Sequence, residues 1–103
     1  MSDNALPIAK FRIGKIVTTE QATSKLTQEE ILLGIQRHQA GDWGEVDEHG
    51  QQANDRALTA GGRLFSVYRS ANGIKFWTIT EADRSVTNVE LHISDQMLTL
   101  HKC

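Results

Sequence analysis

RLFSVYRSANGIKFWTIT, residues 63–80, decides how this chain folds. Two runs rich in β-branched and aromatic residues flank Ala71-Asn72-Gly73. An Asn-Gly pair between such runs signals a hairpin, because a two-residue turn needs positive φ at both central positions. With Asn72-Gly73 as that turn, Ala71 faces Ile74 and the register follows by counting. Tyr68 then faces Trp77, Val67 faces Thr78, Ser66 faces Ile79 and Arg69 faces Phe76. A slip of one residue would exchange the two faces of the strand.

Downstream, Glu81-Ala82-Asp83-Arg84 reads as a second connection leading into a strand over 85–93. Pairing Thr80 with Ser85 sets Phe76 opposite Val89 and Lys75 opposite Glu90, an apolar pair and an ion pair in one register. Ser94-Asp95 reads as a turn, and 96–101 as a short last strand with Leu98 and Leu100 on one face. Upstream, 10–18 reads as a strand, and 19–25 as a polar stretch that can form a short helical turn. Thr27 and Glu30 form a capping box, with Leu26 and Ile31 placed as a hydrophobic staple. The helix they open carries Ile31, Leu32 and Ile35 on one face and ends at Gly41 in the left-handed conformation. Gly34 inside it marks either close packing or a tolerated weakness. Asp47 caps a second, polar helix to Ala60, stopped by Gly61-Gly62. The predicted order is β-α-α-β-β-β(-β). This is an α+β fold, a small antiparallel sheet of three to five strands with two helices, in a single domain over 1–103 whose residues 1–9 are weakly ordered.

The chain has 103 residues, enough for one self-sufficient core. Its net charge of −2 is too small for electrostatic steering to nucleic acid or to a membrane surface. The one cysteine, Cys103, cannot form an internal disulfide. No apolar run is long enough to span a bilayer and no secretory signal is evident, so a cytoplasmic location is expected.

In the predicted register one sheet face carries Phe65, Val67, Ile74, Phe76, Val89, Leu91 and Ile93, the expected core. The other carries Leu64, Ser66, Tyr68, Trp77, Ile79, Val86 and Asn88, edged by Lys75 and Glu90. Tyr68 beside Trp77 makes an aromatic patch that needs cover from the chain itself, a second subunit or a partner.

Residues 38–49 hold His38, Asp42, Glu45, Asp47, Glu48 and His49, but at no recognised metal spacing, so no metal is assigned. Between Asp42 and Arg56 lie five acidic groups and one arginine. That reads as a solvated face before it reads as a nucleic-acid mimic. Glu81, Asp83 and Arg84 at a hairpin tip could hold a ligand, or could simply form a turn in which Asp83 accepts backbone hydrogen bonds and pairs with Arg84. There is no nucleophile elbow, phosphate loop or dinucleotide fingerprint, and no cofactor is assigned.

His38-x-x-Gly41-Asp42-Trp43-Gly44 recurs in a wider pattern. It continues through Asn54, Ala57, Leu58, Gly62, Arg63, Ser66 and Tyr68 to Trp77-x-Ile79-Thr80-Glu81-Ala82-Asp83-Arg84-Ser85-x-Thr87. About half the chain thereby resembles small proteins encoded on bacterial plasmids, integrated elements and integron cassettes. The resemblance implies a mobile-element accessory protein and no reaction. It departs after Val89, where relatives close in a short apolar run with a proline and a final tyrosine.

The shared positions gather into a candidate patch for binding or for structure: Asp42, Trp43, Asn54, Tyr68, Trp77, Glu81, Asp83 and Arg84. They form either one surface patch or a buried network tying helices to sheet. The leading expectation is a non-enzymatic interaction module, homodimeric, with an unidentified protein partner. The alternative is a small enzyme or ligand binder using Asp42, Glu81, Asp83 and Arg84. A concave site at those four residues would favour the second.

Overall fold

The computed structural model describes residues 9–92, so the expected strand over 96–101 and the first residues of the chain lie outside it. The order is β1 (Lys15–Thr18), α1 (Glu20–Lys25), α2 (Gln28–Gln39), α3 (Glu48–Ala60), β2 (Leu64–Arg69), β3 (Lys75–Thr80) and β4 (Val86–Leu91). The α+β architecture and the β-α-α-β-β-β order are those read from sequence, with the short turn at 20–25 closing as a helix in its own right. The four strands form one sheet in the order β1-β4-β3-β2. β2, β3 and β4 are antiparallel, whereas β1 joins β4 in parallel, so the sheet is mixed. The three helices form the crossover between β1 and β2.

The helix starts behave as their residues dictate. Thr27 accepts from the Glu30 amide at 3.0 Å while the Glu30 carboxylate accepts from the Thr27 amide at 2.9 Å, completing the capping box. Asp47 caps α3 through the Gly50 amide at 2.8 Å. Gly41 ends the α2 region at φ 84°. Gly34 is a close approach: a Cβ there would lie 3.0 Å from the Phe76 ring.

The hairpin overturns the predicted register. Tyr68 pairs with Phe76, Val67 with Trp77, Ser66 with Thr78 and Arg69 with Lys75. The loop holds three residues, Ala71-Asn72-Gly73, closed by the Ser70 amide on the Ile74 carbonyl at 2.9 Å. Gly73 sits at φ 83°, the left-handed residue that completes a three-residue hairpin loop. The Ser70 hydroxyl accepts from the amides of Asn72 and Ile74 at 3.3 and 3.1 Å, which holds the longer loop in place. One residue of slip turns all of β2 over. Tyr68 and Trp77 therefore point to opposite faces, and the expected aromatic pair does not exist. The next connection is also longer than predicted, with Thr80 opposite Thr87 and Phe76 opposite Leu91. That slip is two residues, so β4 keeps its predicted faces.

Burial now alternates in every strand of the hairpin pair. Tyr68, Phe76 and Val89 face inward onto Ala22, Leu26 and Ile35. A second cluster joins Leu64 to Trp43 and Ala57. Phe65 and Val67, expected in the core, lie on the outer face and are half-buried.

Candidate functional site

Sheet residues that face the helices include a polar seam. His38, in the last turn of α2, is fully buried, as are Ser66, Thr78, Thr80 and Thr87. His38 Nδ1 lies 2.5 Å from Ser66 Oγ and Nε2 lies 2.9 Å from Thr80 Oγ1. Thr80 and Thr87 hydroxyls are 2.7 Å apart, and Thr87 donates to the Ile13 carbonyl at 2.7 Å. A hydroxyl has one proton to give. Thr87 gives its proton to Ile13, so it accepts from Thr80. Thr80 must then accept from His38 Nε2–H, and Nδ1 accepts from Ser66. The chain of bonds thus specifies the Nε2–H tautomer. Burial, aided by the positive charge of Arg84, pushes the His38 pKa down to about 4, so the ring is neutral near pH 7. Phe11 and Trp43 close over it edge-on, with ring centroids at 5.1 and 5.6 Å. A Ser–His contact of this kind resembles an activated nucleophile. Here both partners are fully buried, sealed from solvent.

The eight residues singled out by sequence separate into distinct jobs. The Asp42 carboxylate is gripped by Arg37 at 2.7 and 3.2 Å, which with the Gly44 amide holds its pKa below the usual range. The Asp42 carbonyl accepts from the Tyr68 hydroxyl at 2.6 Å, and Arg37 lies over the Tyr68 ring. Trp43 is buried and donates to Asp55 at 3.2 Å. The Asn54 amide bonds both backbone groups of Phe65, at 2.8 and 3.1 Å, taking the place of a neighbouring strand along the β2 edge. Glu81 pairs with Arg63 at 3.1 Å. Asp83 accepts from the Ser85 amide and hydroxyl, at 3.0 and 2.6 Å, as a turn residue should. The expected Asp83–Arg84 pair does not form. The Arg84 guanidinium instead reaches the carbonyls of Gly62, Glu81, Ala82 and Ala57, fastening the end of α3 to the β3–β4 turn.

Seven of the eight therefore hold helices, turns and sheet edges together. Trp77 alone stands apart, on the outer face, where its ring meets Phe65 at 5.3 Å and His92 at 5.4 Å. Sequence reasoning did not single out His38, Ser66, Thr80 and Thr87 as one unit. The available signal was Thr78 and Thr80 two apart on one strand, with Thr87 on the strand that follows.

Among the described residues two clefts can be outlined. One, of about 240 Å³, lies between α2 and the hairpin and is lined by Glu30, Gly34, Arg37, Tyr68, Arg69 and Phe76, among others. The other, of about 400 Å³, lies between β1 and the first two helices. Neither is lined by Asp42, Glu81, Asp83 or Arg84. Among the described residues no three His, Cys, Asp or Glu side chains gather as a metal site. No helix there is long and apolar enough to cross a membrane. Compared with protein-family models, with curated proteins and with solved structures, the chain finds no match.

Proposed function

We propose that this protein is a non-enzymatic interaction module of a bacterial mobile element, working in the cytoplasm as a homodimer that docks through the outer face of its sheet. The observation that carries this reading is the composition of that face. Phe65, Val67, Trp77, Ile79 and Val86 project from three adjacent strands, and all remain partly exposed. The helices pack on the opposite side. A contiguous apolar face of this kind on a small domain favours contact with another protein. Its rim carries both signs, Arg69 and Lys75 with Glu90, so a twofold axis can set unlike charges against each other, which suits a second copy of the chain.

The resemblance to mobile-element proteins fits the same reading. The residues that carry it, among them His38, Trp43, Asn54, Ser66, Tyr68, Thr80 and Thr87, are buried. A shared pattern made of scaffold residues specifies a fold rather than a reaction.

Size-exclusion chromatography with light scattering is the test. The expected result is a dimer mass for the native chain and a monomer mass for Trp77→Ala, with thermal unfolding of the variant still cooperative. A monomer at high concentration, or a dimer indifferent to Trp77→Ala, overturns the proposal.

A further inference from the structure

The edge of β2 is capped rung by rung, and one rung is left over. Along such an edge every second residue points its amide and carbonyl outward. Asn54 takes both groups of Phe65. Trp43 and Glu45 take those of Val67, at 3.1 and 2.8 Å. Arg69 comes next. Its partner on β3, Lys75, gives its carbonyl to the His92 amide on the β4 side. The Arg69 amide and carbonyl are therefore not spent across the hairpin and point outward. Among the described residues no hydrogen-bond partner reaches either group.

The smaller cleft opens beside this rung, with α2 running antiparallel to β2 above it. Glu30, near the helix start, bonds the Ala71 amide in the hairpin loop at 2.9 Å. Arg37, about two turns later, lies 4.6 Å over the Tyr68 ring. Leu33 stands between them, 57% exposed, and Tyr68 and Phe76 line the inner side. At about 240 Å³ the cleft is smaller than the about 300–1,000 Å³ of sites for drug-sized molecules, so it seats one side chain. Its charges are unequal. Both Glu30 oxygens are committed, to the Thr27 and Ala71 amides. Arg69 turns its guanidinium to Glu45 at 3.0 Å. Arg37 meets Asp42 through Nε and Nη2, which leaves Nη1 outside that pairing. An anion is the group this lining still satisfies.

We propose that this cleft seats the C-terminal residues of a partner protein. The segment enters from the hairpin loop and runs antiparallel to β2. Its penultimate residue exchanges both backbone hydrogen bonds with Arg69, as one added rung. Side chains alternate along a strand, so that residue faces outward like Arg69 and the last one turns inward beside Tyr68. An apolar last side chain fills the cleft against Leu33 and Phe76, and the terminal carboxylate takes Arg37 Nη1. The segment has to end there. The next rung, Val67, is already held by Trp43 and Glu45, with Gly44 bridged to it in parallel, so an internal stretch of chain has no path onward. A backbone rung, a seat for one apolar side chain and an anion site at a dead end together select a chain terminus.

Nitrogen-15 amide spectra of the full chain test this, with the peptide acetyl-Gly-Ser-Val-Leu carrying a free carboxylate as probe. The expected result is saturable shifts at Leu33, Gly34 and Arg69. Binding should be about tenfold weaker for the same peptide as its C-terminal amide, for the peptide ending in glycine, and for Arg37→Gln. N-acetyl-leucine keeps the apolar side chain and the carboxylate but lacks the penultimate N–H, and should also lose about tenfold. The acid, the amide and N-acetyl-leucine are compared on the native chain, so the outcome does not depend on a variant folding. No saturable shift, equal binding of acid and amide, of leucine and glycine ends, or of peptide and N-acetyl-leucine overturns the proposal. Indifference to Arg37→Gln, or shifts centred on Ile16 and Val17 of β1 instead, overturns it as well. The outer-face dimer is scored separately by mass through Trp77→Ala, so either idea can fail alone.

Discussion

A single imidazole organises the polar part of this core. His38 has one donor and one acceptor when neutral, and each is matched by a buried hydroxyl. Thr80 is the junction, accepting from His38 and donating to Thr87. Replacing Thr80 by Val strands a buried ring N–H and leaves Thr87 with an unused lone pair. An unsatisfied buried donor costs about 1–3 kcal/mol, so Thr80→Val should destabilise by about that much. Thr78 is the control. It is equally buried on the same face, two residues away, and its hydroxyl has no hydrogen-bond partner among the described residues. Thr78→Val removes an unpaired polar atom at nearly constant volume and should raise stability by up to about 1 kcal/mol. Urea denaturation of the two variants checks both signs. Equal effects would mean that the proton order assigned above is wrong.

Between elements, Arg84 does the fastening. It is the one non-glycine residue at positive φ among the described residues, at 62°, and this carries its guanidinium back onto the last turn of α3. Removing the side chain leaves those carbonyls to water and frees the end of a helix whose last turn has no basic residue of its own. Arg84→Ala should therefore cost about 2 kcal/mol, and Arg84→Gly should cost about 1 kcal/mol less than Ala, because glycine relieves the left-handed backbone. Faster amide exchange in the last turn of α3 should accompany both. If Ala and Gly are equally damaging, the left-handed conformation carries no strain. Helix starts, the element order and both later strands were legible in the sequence because each is set by local chemistry: Thr27 with Glu30, Asp47, and the turn residues. The face of β2 was not. Asn-Gly serves a two-residue and a three-residue loop alike, and the difference rests on Ser70 taking two loop amides. Hydropathy then agreed with the wrong register. Phe65 and Val67 look more like core than Ser66 does, yet Ser66 goes inside, where its hydroxyl meets the ring of His38 on α2. Of the eight residues of the expected patch, the bonds were not visible in the sequence: Asn54 and Arg84 spend their polar groups on backbone far away in sequence.

For the molecule as a whole, the same histidine sets how stability depends on pH. Its folded pKa is about 4, against an ordinary 6.5, because burial comes first among the causes and Arg84 second. The unfolded chain thus binds more protons between these values, and linkage makes stability fall as pH falls. The contribution is complete above pH 6.5 and disappears on descending to about 4. Over that span it amounts to about 3 kcal/mol, a large share of a small domain's stability. The carboxylates act later. Glu30, Asp42, Glu45 and Asp83 all have pKa values lowered by hydrogen bonds to the charged form: Glu30 to the Thr27 amide, Asp42 and Glu45 to arginines, and Asp83 to Ser85. What they add is lost only as pH drops through and below the ordinary carboxylate range. Among the groups with a shifted pKa in the described residues, the one that acts between pH 6.5 and 5 is His38. Urea midpoints measured from pH 7.5 to 5 should fall steadily for the native chain. His38→Gln starts from a lower midpoint, having lost the ring, but its curve should be nearly flat over the same range. Parallel curves for the two proteins would mean that the acid sensitivity arises elsewhere and that the buried seam does not exclude the proton.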